Sequence, residues 1–233
     1  MRCLKAAGML SAIAVGQSGG VSAADDPRPT ELLRTREFFG ARAGTWDERF
    51  PDDAPRYERA VGELSPPPAG RVLDAGCGTG RALPFLRAAV GPAGVVLGVD
   101  VTSEMVREAA RRARDAAALL VQADVLALPL PDGSVDAVLA AGLISHLPEP
   151  GSGLAELARV CRTGGRLALF HPVGRAALAR RHGRELTPED VRAEPNVRAL
   201  LARTGWHCTD VDDGDERYLV LATRAEGAGP AVF

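Results

Sequence analysis

The sequence predicts an α/β fold: a mostly parallel sheet of seven strands, helices on both faces, and an antiparallel C-terminal strand. Three observations carry this. Short apolar runs alternate with helix-patterned segments from about residue 70 to residue 223. The runs are short and apolar along their whole length, which fits strands buried on both faces. The first run ends in Asp74-Ala75-Gly76-Cys77-Gly78-Thr79-Gly80, a glycine-rich turn where a strand hands over to a helix.

The elements follow in order. Asp25-Asp26-Pro27-Arg28-Pro29 reads as a linker, since paired prolines disfavour helix and strand. Thr30 is an N-cap for a helix opening with Glu31-Leu32-Leu33-Arg34. Phe38, Phe39, Trp46, Phe50 and Tyr57 then concentrate aromatic residues in a stretch expected to form short helices. That stretch is either a lid over a ligand or additional core. Pro66-Pro67-Pro68-Ala69-Gly70 ends it. Beyond lie strands at 72–73, 94–99, 119–122, 135–140 and 166–170, and helices at 81–90, 103–118, 153–161 and 191–203. The last two strands, 206–211 and 218–223, flank Asp212-Asp213-Gly214-Asp215, a turn signal expected to pair them as an antiparallel hairpin.

Composition narrows the function. Twenty-eight basic residues balance 30 acidic ones for a net charge of −2, which argues against a protein that coats nucleic acid. Cys3, Cys77, Cys161 and Cys208 are scattered without a C-x-x-C pair, which excludes a disulfide scaffold and a common zinc module. Residues 1–23 resemble a secretory signal: Arg2 and Lys5, an apolar run over 6–15, and Val21-Ser22-Ala23 as a cleavage-like end. The run is too short to span a bilayer. A spurious start or a disordered leader is the alternative.

The glycine turn constrains the ligand. A dinucleotide fingerprint, G-x-G-x-x-G, needs a third glycine at position 81, where Arg81 stands; Gly76, Gly78 and Gly80 give G-x-G-x-G instead. Asp74, two residues ahead, would repel a pyrophosphate but suit a ligand with a positive end. S-adenosylmethionine has such an end, an ammonium group and a sulfonium.

Residues 74–80 resemble motif I of class I S-adenosylmethionine-dependent methyltransferases. The closest flavour is the methyltransferase type 11 family, similar to menaquinone and ubiquinone C-methyltransferases. Three further features stand in the family's order. Val96-Leu97-Gly98-Val99-Asp100 is a strand ending in an acid. Gln122-Ala123-Asp124-Val125 ends the third strand, and Leu128-Pro129-Leu130-Pro131-Asp132-Gly133-Ser134-Val135-Asp136 resembles the approach to the fourth, with Leu130 and Val135 replacing aromatics. Arg162-Thr163-Gly164-Gly165 resembles the turn into the fifth, with Thr163 for the usual proline.

The resemblance implies a Rossmann-like three-layer α/β/α sandwich with S-adenosylmethionine as cofactor. The chain is expected to divide into a signal-like or disordered leader over 1–28, a helical cap or lid over 29–66, the cofactor-binding domain over 67–224 and a tail over 225–233. Asp74, Gly76, Cys77, Gly78 and Gly80 would form the cofactor loop. Asp100 would take the ribose hydroxyls, Val101 and Met105 would pack on the adenine, Asp124 and the Val125 N–H would meet its polar edge, and Ala141 would complete the site. Phe39 and Trp46 are the cap residues expected near the substrate. His146, after the fourth strand, is the candidate base, with a cap or packing role as its alternative. His171, in Phe170-His171-Pro172, is a candidate substrate contact. His182 is expected on the surface or a lid, His207 and Cys208 in the structure of a late strand, and Asp136 in a structural role. Five arginines over 173–196 either meet an acidic acceptor or form a solvated face.

No metal-ligand set is visible. The expected partner is a small-molecule acceptor, with no nucleic acid and no membrane span. A protein that holds S-adenosylmethionine without transferring methyl, and a nucleic-acid or protein methyltransferase, are the alternatives. A nicotinamide oxidoreductase is disfavoured by Asp74 and Arg81. The cofactor's cytoplasmic supply favours a cytoplasmic protein.

Overall fold

The computed structural model describes residues 28–49 and 53–226. The signal-like stretch, Phe50 and most of the expected tail lie outside the described residues. The chain opens with α1 (Arg28–Gly40), two single turns of 3-10 helix (Ala43–Thr45 and Asp47–Arg49) and α2 (Ala54–Leu64). There follow β1 (Arg71–Ala75), α3 (Leu83–Val90), β2 (Val95–Asp100), α4 (Ser103–Asp115), β3 (Leu119–Gln122) and β4 (Val135–Ala141). The remainder is α5 (Pro150–Val160), β5 (Cys161–His171), α6 (Arg175–Arg181), α7 (Glu194–Arg203), β6 (Trp206–Gly214) and β7 (Arg217–Arg224).

The seven strands form one sheet in the order β3-β2-β1-β4-β5-β7-β6. Strands β1 to β5 run parallel, and β7 is antiparallel to both β5 and β6. Period-two alternation sorts their side chains between the faces. Val72, Val96, Ala137 and Leu139 join Leu64 of α2, Leu83 and Leu86 of α3 and Ala113 of α4 in one core. Leu73, Leu97, Val138 and Leu167 join Leu154 and Leu157 of α5, Leu200 of α7 and Trp206 in the other. Each fully buried leucine contributes about 1.5–3 kcal/mol, so both faces are held largely by apolar burial. Trp206 also donates its indole N–H to the Leu154 carbonyl at 2.9 Å, so its one polar atom stays satisfied.

Several sequence expectations are corrected. The first helix begins at Arg28, ahead of Thr30, because proline is tolerated in a helix's first turn, where the N–H has no intrahelical partner. The expected turn at 212–215 is mostly strand: β6 runs to Gly214, with Asp213 opposite Tyr218 and Gly214 opposite Arg217. Tertiary pairing there overrides local turn propensity. Strand β5 starts at Cys161 and carries Gly164 and Gly165 within it. The arginine-rich insertion contains a helix, α6, and is not uniformly solvated. Arg175 pairs with Asp213 at 2.8 Å and Arg192 with Asp190 at 3.1 Å, and both guanidiniums are mostly buried. Arg180 and Arg181 remain exposed.

Candidate functional site

The strand order reverses between β1 and β4, so the helices after them leave on opposite faces and their C-terminal ends open a crevice. The glycine turn lies at that point. Gly76, Gly78 and Gly80 all have positive φ (69°, 53° and 79°), a conformation that side chains disfavour. The turn is held by a Cys77 N–H bond to the Val99 carbonyl at 2.9 Å and a Gly80 N–H bond to the Cys77 carbonyl at 2.8 Å.

Two of these glycines serve different purposes. A Cβ on Gly80 would stand 2.9 Å from Leu83 Cδ1 and 3.1 Å from Ala109 Cβ, so Gly80 permits close packing of the turn on α3 and α4. A Cβ on Gly78 would meet no atom within 4 Å, so Gly78 bares backbone to open space. Cys77 turns its thiol inward, towards Gly98, and is 7% exposed. Burial, with the charges of Asp74 and Asp100, pushes that thiol's pKa up.

Asp74 is the most unusual residue. It is 1% exposed, and neither carboxylate oxygen has a hydrogen-bond partner. Burial and then the neighbouring Asp100 charge raise its pKa to about 7. A buried carboxylate without donors costs stability, and a cation or donor brought to Asp74 would relieve that cost. Asp100 is 9% exposed and differently provided for. Its two oxygens accept the Gly78 N–H at 2.9 Å and the Thr102 N–H at 2.8 Å. Burial raises its pKa, while the N–H bonds from Thr102 and Gly78 oppose the rise. Each oxygen has a further lone pair.

Beyond Asp100 the expected adenine side assembles at the adjoining ends of β2 and β3. The Val101 carbonyl accepts Arg36 Nε of α1 at 3.1 Å and Gln122 Nε2 at 3.2 Å. Met105 is buried in the first turn of α4. Asp124 accepts the Leu126 N–H at 2.9 Å and so shapes the turn after β3, in which Val125 is buried.

Ala141 ends β4, and Gly142 beyond it donates its N–H to the Phe170 carbonyl at 2.7 Å. His146 follows in a single 3-10 turn, exposed, with its ring edge-on to Phe39 at 5.0 Å between centroids. Phe39 in turn meets Trp46 at 5.6 Å. His171, half-buried at the end of β5, brings Nδ1 to 2.7 Å from the Val173 carbonyl. Desolvation of the ring and then the charge of Arg192 depress the pKa of His146; at His171 desolvation depresses it, the hydrogen bond with Val173 opposes this, and Arg192 adds a smaller depression.

The structure thus gathers the loop, Asp74 and Asp100 at the centre, Val101, Met105 and Asp124 on one side, and His146, Phe39, Trp46 and His171 on the other. His182 is exposed after α6, and His207 and Cys208 lie on β6. Asp136 lies at the start of β4, at the rim away from the crevice, in the structural role expected of it. Among the described residues no group of three or more His, Cys, Asp or Glu is placed to hold a metal ion, and no helix is long and apolar enough to cross a membrane. An open groove of about 410 Å³ between Pro188 and Arg203 contains none of the strand-end residues.

Sequence reasoning missed how the N-terminal segment is fastened over this crevice. Asp47 accepts Thr79 Oγ1 at 2.8 Å and pairs with Arg112 of α4 at 2.7 Å. Arg112 also reaches the Thr79 carbonyl at 3.0 Å, and Arg81 pairs with Asp53 at 3.4 Å. Arg36 ties α1 to the end of β2 while Phe39 meets the turn after β4, so one helix bridges both sides of the crevice. Only the acidic residues beside the N-terminal aromatics hinted at this.

This strand order, with its crevice, glycine turn and strand-end acids, is that of the class I, Rossmann-like methyltransferases. Residues 73–169 match the family model described as a methyltransferase domain, of type 11. The chain is 36% identical over 122 residues to a demethylmenaquinone methyltransferase of Roseiflexus sp., a match covering 50% of this chain and 51% of that protein. It is 35% identical over 138 residues to a 27-O-demethylrifamycin SV methyltransferase of Amycolatopsis mediterranei, covering 54% and 48%. The crystal structure of a SAM-dependent methyltransferase from Aquifex aeolicus superposes with a TM-score of 0.62 at 27% identity, covering 84% of this chain and 98% of that one. The chain spans about half the length of these curated relatives. Residues 73–169 therefore form a methyltransferase domain, and S-adenosylmethionine is the cofactor that such a domain implies.

Proposed function

We propose that the protein transfers a methyl group from S-adenosylmethionine to a small-molecule acceptor held between the N-terminal cap and the strand ends. One observation carries the cofactor assignment: the carboxylate of Asp74 is buried without a partner beside an open glycine turn. That donor-starved acid fits a ligand with a cationic end.

The residues present divide the work. Asp74 would receive the positive end, and the backbone bared at Gly78 would lie along the ligand. Asp100, already anchoring the loop, would accept the ribose hydroxyls on its remaining lone pairs. Val101 and Met105 would pack on the adenine, a thioether being a favourable aromatic neighbour. Asp124 and the Val125 N–H would meet its polar edge, and Ala141 would line the site. The bound cofactor supplies a methyl group already activated on a sulfonium. What remains for the chain is to orient the acceptor and exclude water, tasks suited to Phe39, Trp46 and the latch at Asp47. His146 and His171 are the groups able to handle an acceptor proton. A near-neutral chain favours a small acceptor over nucleic acid. The cytoplasmic supply of the cofactor favours a cytoplasmic reaction.

Titration calorimetry tests the reading. S-adenosylhomocysteine is expected to bind and NAD not to, and Asp100→Ala is expected to weaken that binding at least about tenfold, because charge-assisted hydrogen bonds contribute roughly 1.5–3 kcal/mol. Heat from NAD alone would sink it. Incubation with methyl-labelled cofactor and a metabolite extract then separates transfer from binding alone.

A further inference from the structure

Asp74 stands in the middle of the sheet, and its neighbours offer it no hydrogen. In register beside it are Gly98 of β2, which has no side chain, and Leu139 of β4, which is apolar and fully buried. Donors of the glycine turn are spent elsewhere. The Cys77 N–H goes to the Val99 carbonyl at 2.9 Å and the Gly78 N–H to Asp100 at 2.9 Å. The Cys77 thiol turns to the Gly78 carbonyl at 3.8 Å. Both Asp74 oxygens lie buried with no donor from the described residues.

The titratable groups that face Asp74 come from three elements: Asp100 at the end of β2, Cys77 in the glycine turn and Tyr57 of α2. Burial holds the thiol and the phenol neutral, so the charge among them is that of Asp100, and it repels. Arg81 packs over the Tyr57 ring at 5.5 Å but pairs with Asp53 at 3.4 Å. Two buried carboxylates that feel each other are not both ionised without cost. Asp100 has the N–H groups of Gly78 and Thr102 to hold its charge, and Asp74 has none. The proton of the pair therefore sits on Asp74, which keeps it up to about pH 7.

The same shortage of donors decides which positive group Asp74 can take. A sulfonium has no N–H to give, whereas an ammonium group has three donors. We infer that the ammonium group of the cofactor seats at Asp74, and that its arrival expels the carboxyl proton into solvent. The inference rests on the cofactor reading above. In the exchange the carboxyl O–H bond breaks and its electron pair stays on oxygen. The proton passes to the buffer, and the carboxylate accepts N–H groups of the ammonium in its place. No bond to carbon or sulfur changes. Loading of the site is thereby coupled to pH. Below about pH 7 a proton must leave first, and affinity falls about tenfold per pH unit.

The test uses the full chain and titration calorimetry at pH 6 and pH 8, in buffers of different ionisation enthalpy. Three probes are compared: S-adenosylhomocysteine, S-adenosylmethionine and the deamino analogue of S-adenosylhomocysteine, which has hydrogen in place of the ammonium group. S-adenosylhomocysteine is expected to release about 0.9 of a proton at pH 6 and about 0.1 at pH 8, and to bind about tenfold more tightly at pH 8. The deamino analogue should release about one proton fewer at pH 6 and gain no such affinity. A proton given up by Asp100 on meeting the ribose is common to both ligands, so their difference reports Asp74. Equal release by the two, or an affinity for S-adenosylhomocysteine that is flat with pH, overturns the proposal. S-adenosylmethionine is expected to match S-adenosylhomocysteine, since both carry the ammonium group. Release by S-adenosylmethionine alone moves the contact to the sulfonium and overturns the ammonium seat. Asp74→Asn cannot ionise and is expected to erase the difference between S-adenosylhomocysteine and its deamino analogue; a difference that survives overturns the assignment to Asp74. If that variant folds poorly, the deamino analogue on the wild type still decides. Failure of S-adenosylhomocysteine to bind at either pH strikes the cofactor reading instead.

Discussion

Asp74 and Asp136 stand on neighbouring strands, β1 and β4, near opposite rims of one sheet. At Asp136 every demand is met. It accepts the Arg71 N–H and Arg162 Nε, each at 2.7 Å. Burial pushes its pKa up, but the Arg71 N–H and the Arg162 guanidinium outweigh burial and hold it below the usual carboxylate range. At Asp74 nothing is met: both oxygens are buried without donors, and Asp100 adds repulsion. One acid closes the sheet's rim. The other is left without the donors that a buried carboxylate needs. Residue type is the same; the local supply of donors separates an acid with a structural role from one for which a binding role is proposed.

The largest expected effect sharpens this contrast through pH. The folded chain keeps the Asp74 proton up to about pH 7, whereas the unfolded chain releases it near 3.8. The folded state therefore binds more protons in that window, and stability without ligand falls as pH rises, by at most about 4 kcal/mol. Asp74→Asn is expected to flatten most of this slope in denaturant titrations between those limits, leaving the smaller part that the raised pKa of Asp100 contributes; an unchanged slope breaks the comparison. Asp136 acts with the opposite sign. Its contribution is present above the ordinary carboxylate range and is lost as pH falls through its lowered value.

The glycine turn offers a second contrast. Gly80→Ala forces a Cβ against Leu83 and Ala109 at a φ of 79° and is expected to cost roughly 2–4 kcal/mol in thermal or chemical unfolding. Gly78→Ala meets no atom, so its cost is only backbone strain of about 1–2 kcal/mol, yet it should abolish S-adenosylhomocysteine binding in calorimetry. Equal losses of stability in the two variants would contradict the division between packing and ligand approach.

Smaller effects follow at the other rim and at the cap. Asp136→Ala orphans the Arg71 N–H and is expected to cost about 1–3 kcal/mol in unfolding experiments, with S-adenosylhomocysteine affinity unchanged. Asp47 is 38% exposed, so Asp47→Ala should lower stability by less than about 1 kcal/mol. Its mark is kinetic: stopped-flow dissociation of S-adenosylhomocysteine should quicken once Thr79 and Arg112 lose their shared partner.

Much of the sheet was legible because its signals are local. Val72-Leu73 followed by Asp74 and alternate glycines declares a strand end, and the acids at Asp100 and Asp124 repeat the strand-end signal. Boundaries failed where partners far along the chain decide. Asp212 and Asp213 read as a turn, but Leu219 and Tyr218 pair with them and extend β6. Arg175 and Arg192 read as an acceptor contact or a solvated face, but Asp213 and Asp190 bury them in ion pairs. The site divides in the same way. Asp74 and Asp100 show in the motif, whereas the Asp47–Thr79–Arg112 latch joins residues 32 and 65 positions apart, which no periodicity links.

The position of β7 bears on how the chain is made. β7 lies between β5 and β6, although both precede it in sequence, and β6 reaches the sheet only through β7. A ribosome therefore delivers both neighbours before the strand that joins them. Until residues 217–224 emerge, the outer edge of β5 offers unpaired backbone groups to any passing strand, and Trp206 waits beside an unfinished core. The nascent chain is exposed to misassembly late in translation, and molecular chaperones would find their binding site at that open edge.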